Sequence, residues 1–223
     1  MHYTVFDTPV IKTVLYWISR TYLKVFGWKC EGHIPGSPKC VMIAAPHTSN
    51  WDFPITMFLA FSLKAKVYWM GKATLFKWPF KTVMRWLGGI PIDRSKSNNM
   101  VASTIDVFNS HENLIIIIPP EGTRGKVSYW KSGFYHIAKG AGVPILLGYV
   151  DYRRKAGGVG PSIMPTGDME ADMQQICTFY LGVTGKYPEK SSLASTRISH
   201  ERVEPAGLEP EKLQGDCAAA RAH

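Results

Sequence analysis

The chain has 223 residues, 45% of them apolar, and a formal net charge of +9. That is one domain's length with ample material for a core, and it excludes an intrinsically disordered chain. Four cysteines at positions 30, 40, 177 and 217 lack metal-type spacing and read as reduced thiols of a cytosolic setting, which argues against a disulfide scaffold.

Residues 8–27 predict an amphipathic helix. Val10, Val14, Trp17 and Ile18 are apolar, while Lys12, Arg20 and Lys24 share one polar arc. Such a helix suits the membrane interface, and packing on the domain's own core is the competing reading. Gly27 stops it. Residues 29–45 predict two short strands around the turn Ile34-Pro35-Gly36-Ser37-Pro38. A loop follows, and a helix starts near Asn50–Asp52 with Pro54 tolerated in its first turn. The apolar run 53–63 is bounded by Asp52 and Lys64 and is too short to cross a bilayer. No cleavable signal is evident at the N-terminus.

Strand Val67–Met70 comes next, then a helix at 77–87 with aromatic and basic faces. Gly88-Gly89-Ile90-Pro91-Ile92-Asp93-Arg94 reads as a turn into a short strand ending in a charged pair. Helix 98–110 precedes Leu114–Ile118, a buried strand that Pro119 and Pro120 end. Residues Trp130–Ala141 predict a helix, 143–150 a strand, Pro165–Asp168 a turn and 169–183 a last helix. From Pro188 the composition is that of a disordered tail. The domain plan is therefore a membrane-associating helix at 1–27, a folded domain at 28–187 and a tail at 188–223. The fold class is α/β, a single layered domain with a mixed central sheet.

Two loops carry chemistry. In Ala-Pro-His-Thr-Ser-Asn-Trp-Asp-Phe-Pro, His47 and Asp52 form an H-x4-D pair. A carboxylate that accepts from one ring nitrogen leaves the other basic and able to take a proton from an alcohol. Within a regular helix, five residues would put the two about 140° apart, so the loop-to-helix break is what lets them meet. In the second loop, Glu121, Gly122, Thr123 and Arg124 follow a buried strand, where α/β folds collect ligands. Gly122 allows close backbone approach, and Arg124 is a fork of donors suited to phosphate. Lys131 can add a cation nearby. A capped helix start and a surface turn are the plain alternatives.

The four blocks at 47–52, 89–94, 120–124 and 143–145, in that order, resemble the glycerolipid (lysophosphatidic acid-type) acyltransferase family, in a compact bacterial branch. The resemblance covers roughly residues 28 to 190. It implies acyl transfer from an acyl thioester, acyl-CoA or acyl-ACP, to a hydroxyl of a lysophospholipid acceptor, foremost 1-acylglycerol-3-phosphate, in phospholipid biosynthesis. It implies His47 as general base, Asp52 as its orienting partner, and Arg94 and Arg124 as anion binders. Lys72 and Lys131 are further candidate cations, and Glu121 a candidate for fixing Arg124 or an acceptor hydroxyl. Backbone N–H groups near the helix start are candidate oxyanion donors. One departure from the family pattern is Ile118-Pro119 before Pro120-Glu121-Gly122, where a Phe or Val-Phe is common.

No cofactor and no metal is implied, and no H-E-x-x-H, G-x-S-x-G, P-loop or G-x-G-x-x-G stands in the chain. Lyso-aminolipid acceptors stay open, as does a thioesterase or lipid hydrolase using the same pair. So does a basic membrane-binding protein that has lost catalysis.

The charge is uneven. Residues 187–223 hold five Lys/Arg against six Asp/Glu, so the body carries about +10. Between 64 and 96 stand eight basic residues and one acid, Asp93. Such a field attracts an anionic membrane surface or phosphate-bearing ligands. No nucleic-acid-binding signature accompanies it. The expected location is the cytoplasmic face of the inner membrane, peripheral or monotopic.

Overall fold

The alternating helix and strand signals resolve into a seven-stranded sheet with helices on both faces. The computed structural model describes residues 1–34, 38–92, 97–192 and 197–198. A 3-10 turn at Val5–Asp7 leads to helix α1 (Pro9–Val25), strand β1 (Lys29–Glu31), strand β2 (Lys39–Ala45) and helix α2 (Asp52–Ser62). Strand β3 (Val67–Lys72), a 3-10 turn at Ala73–Phe76, helix α3 (Lys81–Trp86), strand β4 (Gly89–Ile92) and helix α4 (Ser97–Asn109) follow. The second half runs β5 (Leu114–Ile118), β6 (Tyr129–Trp130), α5 (Gly133–Ala141), β7 (Ile145–Asp151), β8 (Ala156–Ile163), α6 (Met169–Tyr180), a 3-10 turn at Pro188–Lys190 and β9 (Arg197–Ile198).

The sheet order is β1-β8-β7-β2-β5-β3-β4, and β6 pairs separately with β9. Strands β7, β2, β5, β3 and β4 are mutually parallel, and β8 runs antiparallel to β7. The sheet is therefore mixed, as the sequence predicts. Strands β2 and β5 lie between layers, which is why β5 is a continuous apolar run. Val41, Ile43, Ile116, Ile145 and Leu147 face a core with Val101, Phe108, Phe134, Ile137 and Ile176 from α4, α5 and α6. Cys40, Met42, Ile115, Ile117 and Val67 face the other way, onto Met57, Ala60 and Phe61 of α2 with Val5 and Phe6. The alternation along β2 and β5 is the period-two geometry of a strand.

Several expectations are corrected. The strands at 29–31 and 39–45 form, but β8 and β7 stand between them, since β1 pairs in parallel with β8. Residues 35–37 of the turn between them lie outside the described residues. The helix expected at 77–87 spans only Lys81–Trp86. The helix expected from Trp130 starts at Gly133, because Tyr129–Trp130 pair with Arg197–Ile198 instead. The last helix ends at Tyr180.

Strand β8 has no sequence signal: Gly157, Gly158 and Gly160 make it a poor strand former. Its neighbours require it to be small. A Cβ on Gly158 would lie 2.0 Å from the Glu31 carbonyl oxygen, and one on Gly157 2.6 Å from Leu59 Cδ1.

The N-terminal segment and the stretch just past residue 187 are tied to the domain more closely than composition suggests. Val5 is fully buried and Leu23 is 3% exposed, so residues 1–27 contribute to the core and are no separate appendage. Phe6 stacks on Phe61 at 4.7 Å. The outward face of α1 still shows Val10, Val14, Trp17 and Val25 to solvent. Beyond α6, Ser192 is buried and its hydroxyl accepts from the Val127 N–H at 2.9 Å. The stretch from 188, read as a disordered tail, is thus ordered at 188–192, while 193–196 and 199–223 lie outside the described residues. Among the described residues no helix is long and apolar enough to cross a membrane.

Candidate active site

Five parallel strands end on one edge of the sheet, and each delivers a loop or terminus there. Strand β2 delivers His47, β5 delivers Glu121–Arg124, β3 ends in Lys72, and β7 ends beside Tyr152. Strand β4 ends at Ile92, and Arg94 beyond it lies outside the described residues.

The H-x4-D pair closes as its spacing predicts. His47 Nδ1 lies 2.9 Å from Asp52 Oδ2. An ionised carboxylate can only accept, so Nδ1 carries the proton and Nε2 is left with its lone pair. Nε2 has no hydrogen-bond partner among the described residues, and the His47 side chain is 26% exposed. Asp52 is the first residue of α2 and is buried. The same Oδ2 accepts from the amides of Thr48 and Ser49, each at 2.9 Å. The loop therefore curls around the carboxylate, and a buried charge obtains the donors it needs. The Trp51 amide donates to Ser49 Oγ at 3.1 Å. These three amides are used inside the loop and are not free to serve an oxyanion.

Glu121 has a different place from the one its motif suggests. It is 4% exposed, and its Oε1 accepts the His47 backbone N–H at 3.0 Å. It supports the loop that carries the imidazole, and no bond joins it to Arg124. Its second oxygen is buried and has no hydrogen-bond partner among the described residues. Burial pushes its carboxyl above the usual Glu range, opposed by the His47 amide.

The rest of that loop is open. Gly122 adopts φ 63°, a left-handed conformation suited to glycine. A Cβ there would lie 3.2 Å from Lys131 Cε, so the lysine stem passes over the loop. The Lys131 amide donates to the Pro120 carbonyl at 2.9 Å. Thr123, Arg124 and Lys131 are exposed. Lys72 is exposed at the end of β3, two strands from β2, about 10 Å away at ordinary strand spacing. The structure thus gathers His47, Asp52 and Glu121 into one bonded unit. It sets Gly122, Thr123, Arg124 and Lys131 beside it and Lys72 farther along the edge. No group of His, Cys, Asp and Glu among the described residues could hold a metal ion.

One residue that sequence reasoning missed is Tyr152, whose hydroxyl donates to Asp52 Oδ1 at 2.9 Å. A signal existed. Any residue just past the strand at 143–150 must reach the same edge as His47 if the strands are parallel.

A family model described as Acyltransferase matches residues 29–146, and that segment holds the whole His47–Asp52–Glu121 unit. The chain belongs to the acyltransferase family. As a member, it is 32% identical over 140 residues to a 1-acyl-sn-glycerol-3-phosphate acyltransferase of Haemophilus influenzae, covering 58% of this chain and 56% of that protein. It is 30% identical over 132 residues to the protein of the same name in Salmonella typhimurium, covering 55% and 52%. The chain spans about half the length of these curated relatives. The crystal structure of a 1-acyl-sn-glycerophosphate acyltransferase from Thermotoga maritima overlaps 74% of each chain with a TM-score of 0.48 at 18% identity.

Proposed function

We propose that this protein transfers a fatty acyl group from an acyl thioester, acyl-CoA or acyl-ACP, to the hydroxyl of a lysophospholipid, with 1-acylglycerol-3-phosphate as the acceptor. The observation that carries the reading is the His47 Nδ1–Asp52 Oδ2 bond of 2.9 Å, with Nε2 unpartnered among the described residues, in a member of the acyltransferase family. The names of the relatives support the acceptor.

In this reading His47 Nε2 takes the acceptor hydroxyl proton as the oxygen attacks the thioester carbonyl. The tetrahedral intermediate collapses, the carbon–sulfur bond breaks, and the thiolate takes the proton back from the imidazolium. An ester and a free thiol result. Asp52 holds the ring and stabilises its charged form. Arg124, with Lys131, Lys72 and Arg94, binds the phosphate of the acceptor or donor through charge-assisted hydrogen bonds. The exposed apolar face of α1, edged by Lys12, Arg20 and Lys24, rests on an anionic membrane surface, on the cytoplasmic side where the donors are found. The product enters phospholipid biosynthesis.

The test is product analysis with an acyl-labelled thioester. Purified protein in anionic vesicles should move the label into phosphatidate when 1-acylglycerol-3-phosphate is present, with little free fatty acid. Release of fatty acid at one rate with or without any acceptor would identify a hydrolase instead.

A further inference from the structure

We infer that Tyr152 is a positioning residue for the His47–Asp52 pair, held on station by the chain at 184–187 where it crosses the same loop. Both lie beyond the segment that the family model matches, which ends at residue 146. The inference rests on His47 being the general base.

Asp52 uses its two oxygens differently. Oδ2 takes His47 Nδ1 and the amides of Thr48 and Ser49, all from within the loop. Oδ1 takes the Tyr152 hydroxyl, from a residue 100 positions away. The loop donors bring the carboxylate close. The tyrosine fixes the plane of the carboxylate, and with it the direction in which Oδ2 faces the imidazole. The Tyr152 hydroxyl is held well above the usual tyrosine range, by burial first and then by the Asp52 charge. It remains a donor throughout the neutral range.

Tyr152 is itself anchored. Its amide donates to the Thr184 carbonyl at 2.9 Å, and its ring meets Trp28 edge-on at 5.3 Å. The next residues of the crossing segment press on both neighbours of His47. A Cβ on Gly185 would lie 2.8 Å from Thr48 Oγ1 and 3.2 Å from Pro46 Cγ. The Tyr187 amide donates to Thr48 Oγ1 at 3.2 Å. Lys186 places its ammonium 4.9 Å from the Trp51 ring centroid and 6.0 Å from that of Tyr152. The loop bearing the base is therefore gripped between Glu121 on one side and Tyr152 with residues 184–187 on the other.

Removing the hydroxyl has a signed consequence. A donor on Oδ1 spreads the negative charge of Asp52. Without it, the full charge falls on the imidazolium and His47 becomes harder to deprotonate. Among the described residues, the other titratable or charged groups facing the pair and Tyr152 are Glu121, Lys186, Tyr22 and Tyr187. All are unchanged by the substitution, so a shift belongs to the hydroxyl.

The experiment compares the full chain with Tyr152→Phe, Tyr152→Leu and His47→Ala, using an acyl thioester and 1-acylglycerol-3-phosphate. Thermal unfolding is recorded for each. Tyr152→Phe should lower kcat about tenfold, the scale of one hydrogen bond to a charged group. The acceptor KM should stay put, the melting temperature should fall by only a few degrees for the one buried hydrogen bond lost, and the acid limb of kcat/KM should move to higher pH. Parental kcat and an unmoved acid limb in Tyr152→Phe, with loss only in Tyr152→Leu, would show that the ring merely packs and would overturn the inference. His47→Ala separates the two levels. If it stays active, the general-base reading falls. If it is inactive while Tyr152→Phe is parental, only the positioning role falls.

Discussion

The loops that follow β2 and β5 leave adjacent parallel strands at the same edge, yet they are built in opposite ways. Residues 47–52 close on themselves: one buried carboxylate collects a ring nitrogen and two amides. Past the buried Glu121, the loop at 122–125 leaves Thr123 and Arg124 exposed. The difference follows from the tasks proposed for them. Proton transfer loses much of its rate when a base is misplaced by about 1 Å, so the groups must be fixed before substrate arrives. A phosphate clamp can wait. A long guanidinium keeps its hydration until a ligand brings two or three negative oxygens, and exposure costs it little.

The comparison breaks first at His47. His47→Ala should reduce turnover by about 10²–10⁴-fold while leaving the melting temperature close to parental, because a partly exposed loop imidazole contributes little packing. Asp52→Asn should lose much of the same, since an amide can hold the wrong tautomer. Single-turnover rates with saturating donor and acceptor measure both. Near-normal turnover in His47→Ala would remove the closed loop from the chemistry.

Arg124→Ala should act on the open loop alone. Losing a charge-assisted hydrogen bond worth roughly 1.5–3 kcal/mol predicts an acceptor KM about ten- to a hundredfold higher, with kcat little changed. A lower kcat at unchanged KM would mean that the two loops do not divide the work as argued. Repeating the series with Lys131→Met tells whether the lysine stem over Gly122 belongs to the same clamp.

The third prediction concerns the outward face of α1. Residues 1–27 cannot simply be deleted, because Val5, Phe6 and Leu23 are core residues. Replacing Val10, Val14 and Trp17 together by serine leaves that core intact. Binding to anionic liposomes should weaken about tenfold through lost apolar contact. The remaining attachment should disappear at high salt, as screening removes the basic contribution. Sedimentation with neutral and anionic vesicles measures it.

The smallest effect is expected at Glu121, the joint between the two loops. Its folded carboxyl titrates above the unfolded range. Below the ordinary Glu range both states are protonated and the residue costs nothing. As pH rises through the window above that range, the folded state must ionise a buried group, and stability falls. Glu121→Gln keeps an acceptor for the His47 amide without the charge. The melting temperature of the variant minus that of the parent should therefore increase as pH rises from about 4 to 7. A difference that is flat with pH would mean that the charge is compensated in place.

Much of this was legible without coordinates, for local reasons. Strand β5 announces itself by an apolar run that two prolines end, and α1 by its periodicity. His47 and Asp52, five positions apart, meet because a loop of only six residues leads from β2 into the first turn of α2, so sequence spacing alone brings them close. The α/β class and the mixed sheet follow from the order of the elements. What tertiary structure decided is long-range. Glu121 reaches the His47 amide across 74 residues and Tyr152 reaches Asp52 across 100, because parallel strands end side by side however far apart they lie in the chain. Strand β8 forms against its own composition because β1 and β7 pair with it on either side, and at positions 157 and 158 neighbouring atoms leave no room for a Cβ. The amphipathic pattern of α1 says that one face is apolar. Only packing decides that Leu23 turns inward and Trp17 outward, since both are equally able to leave water.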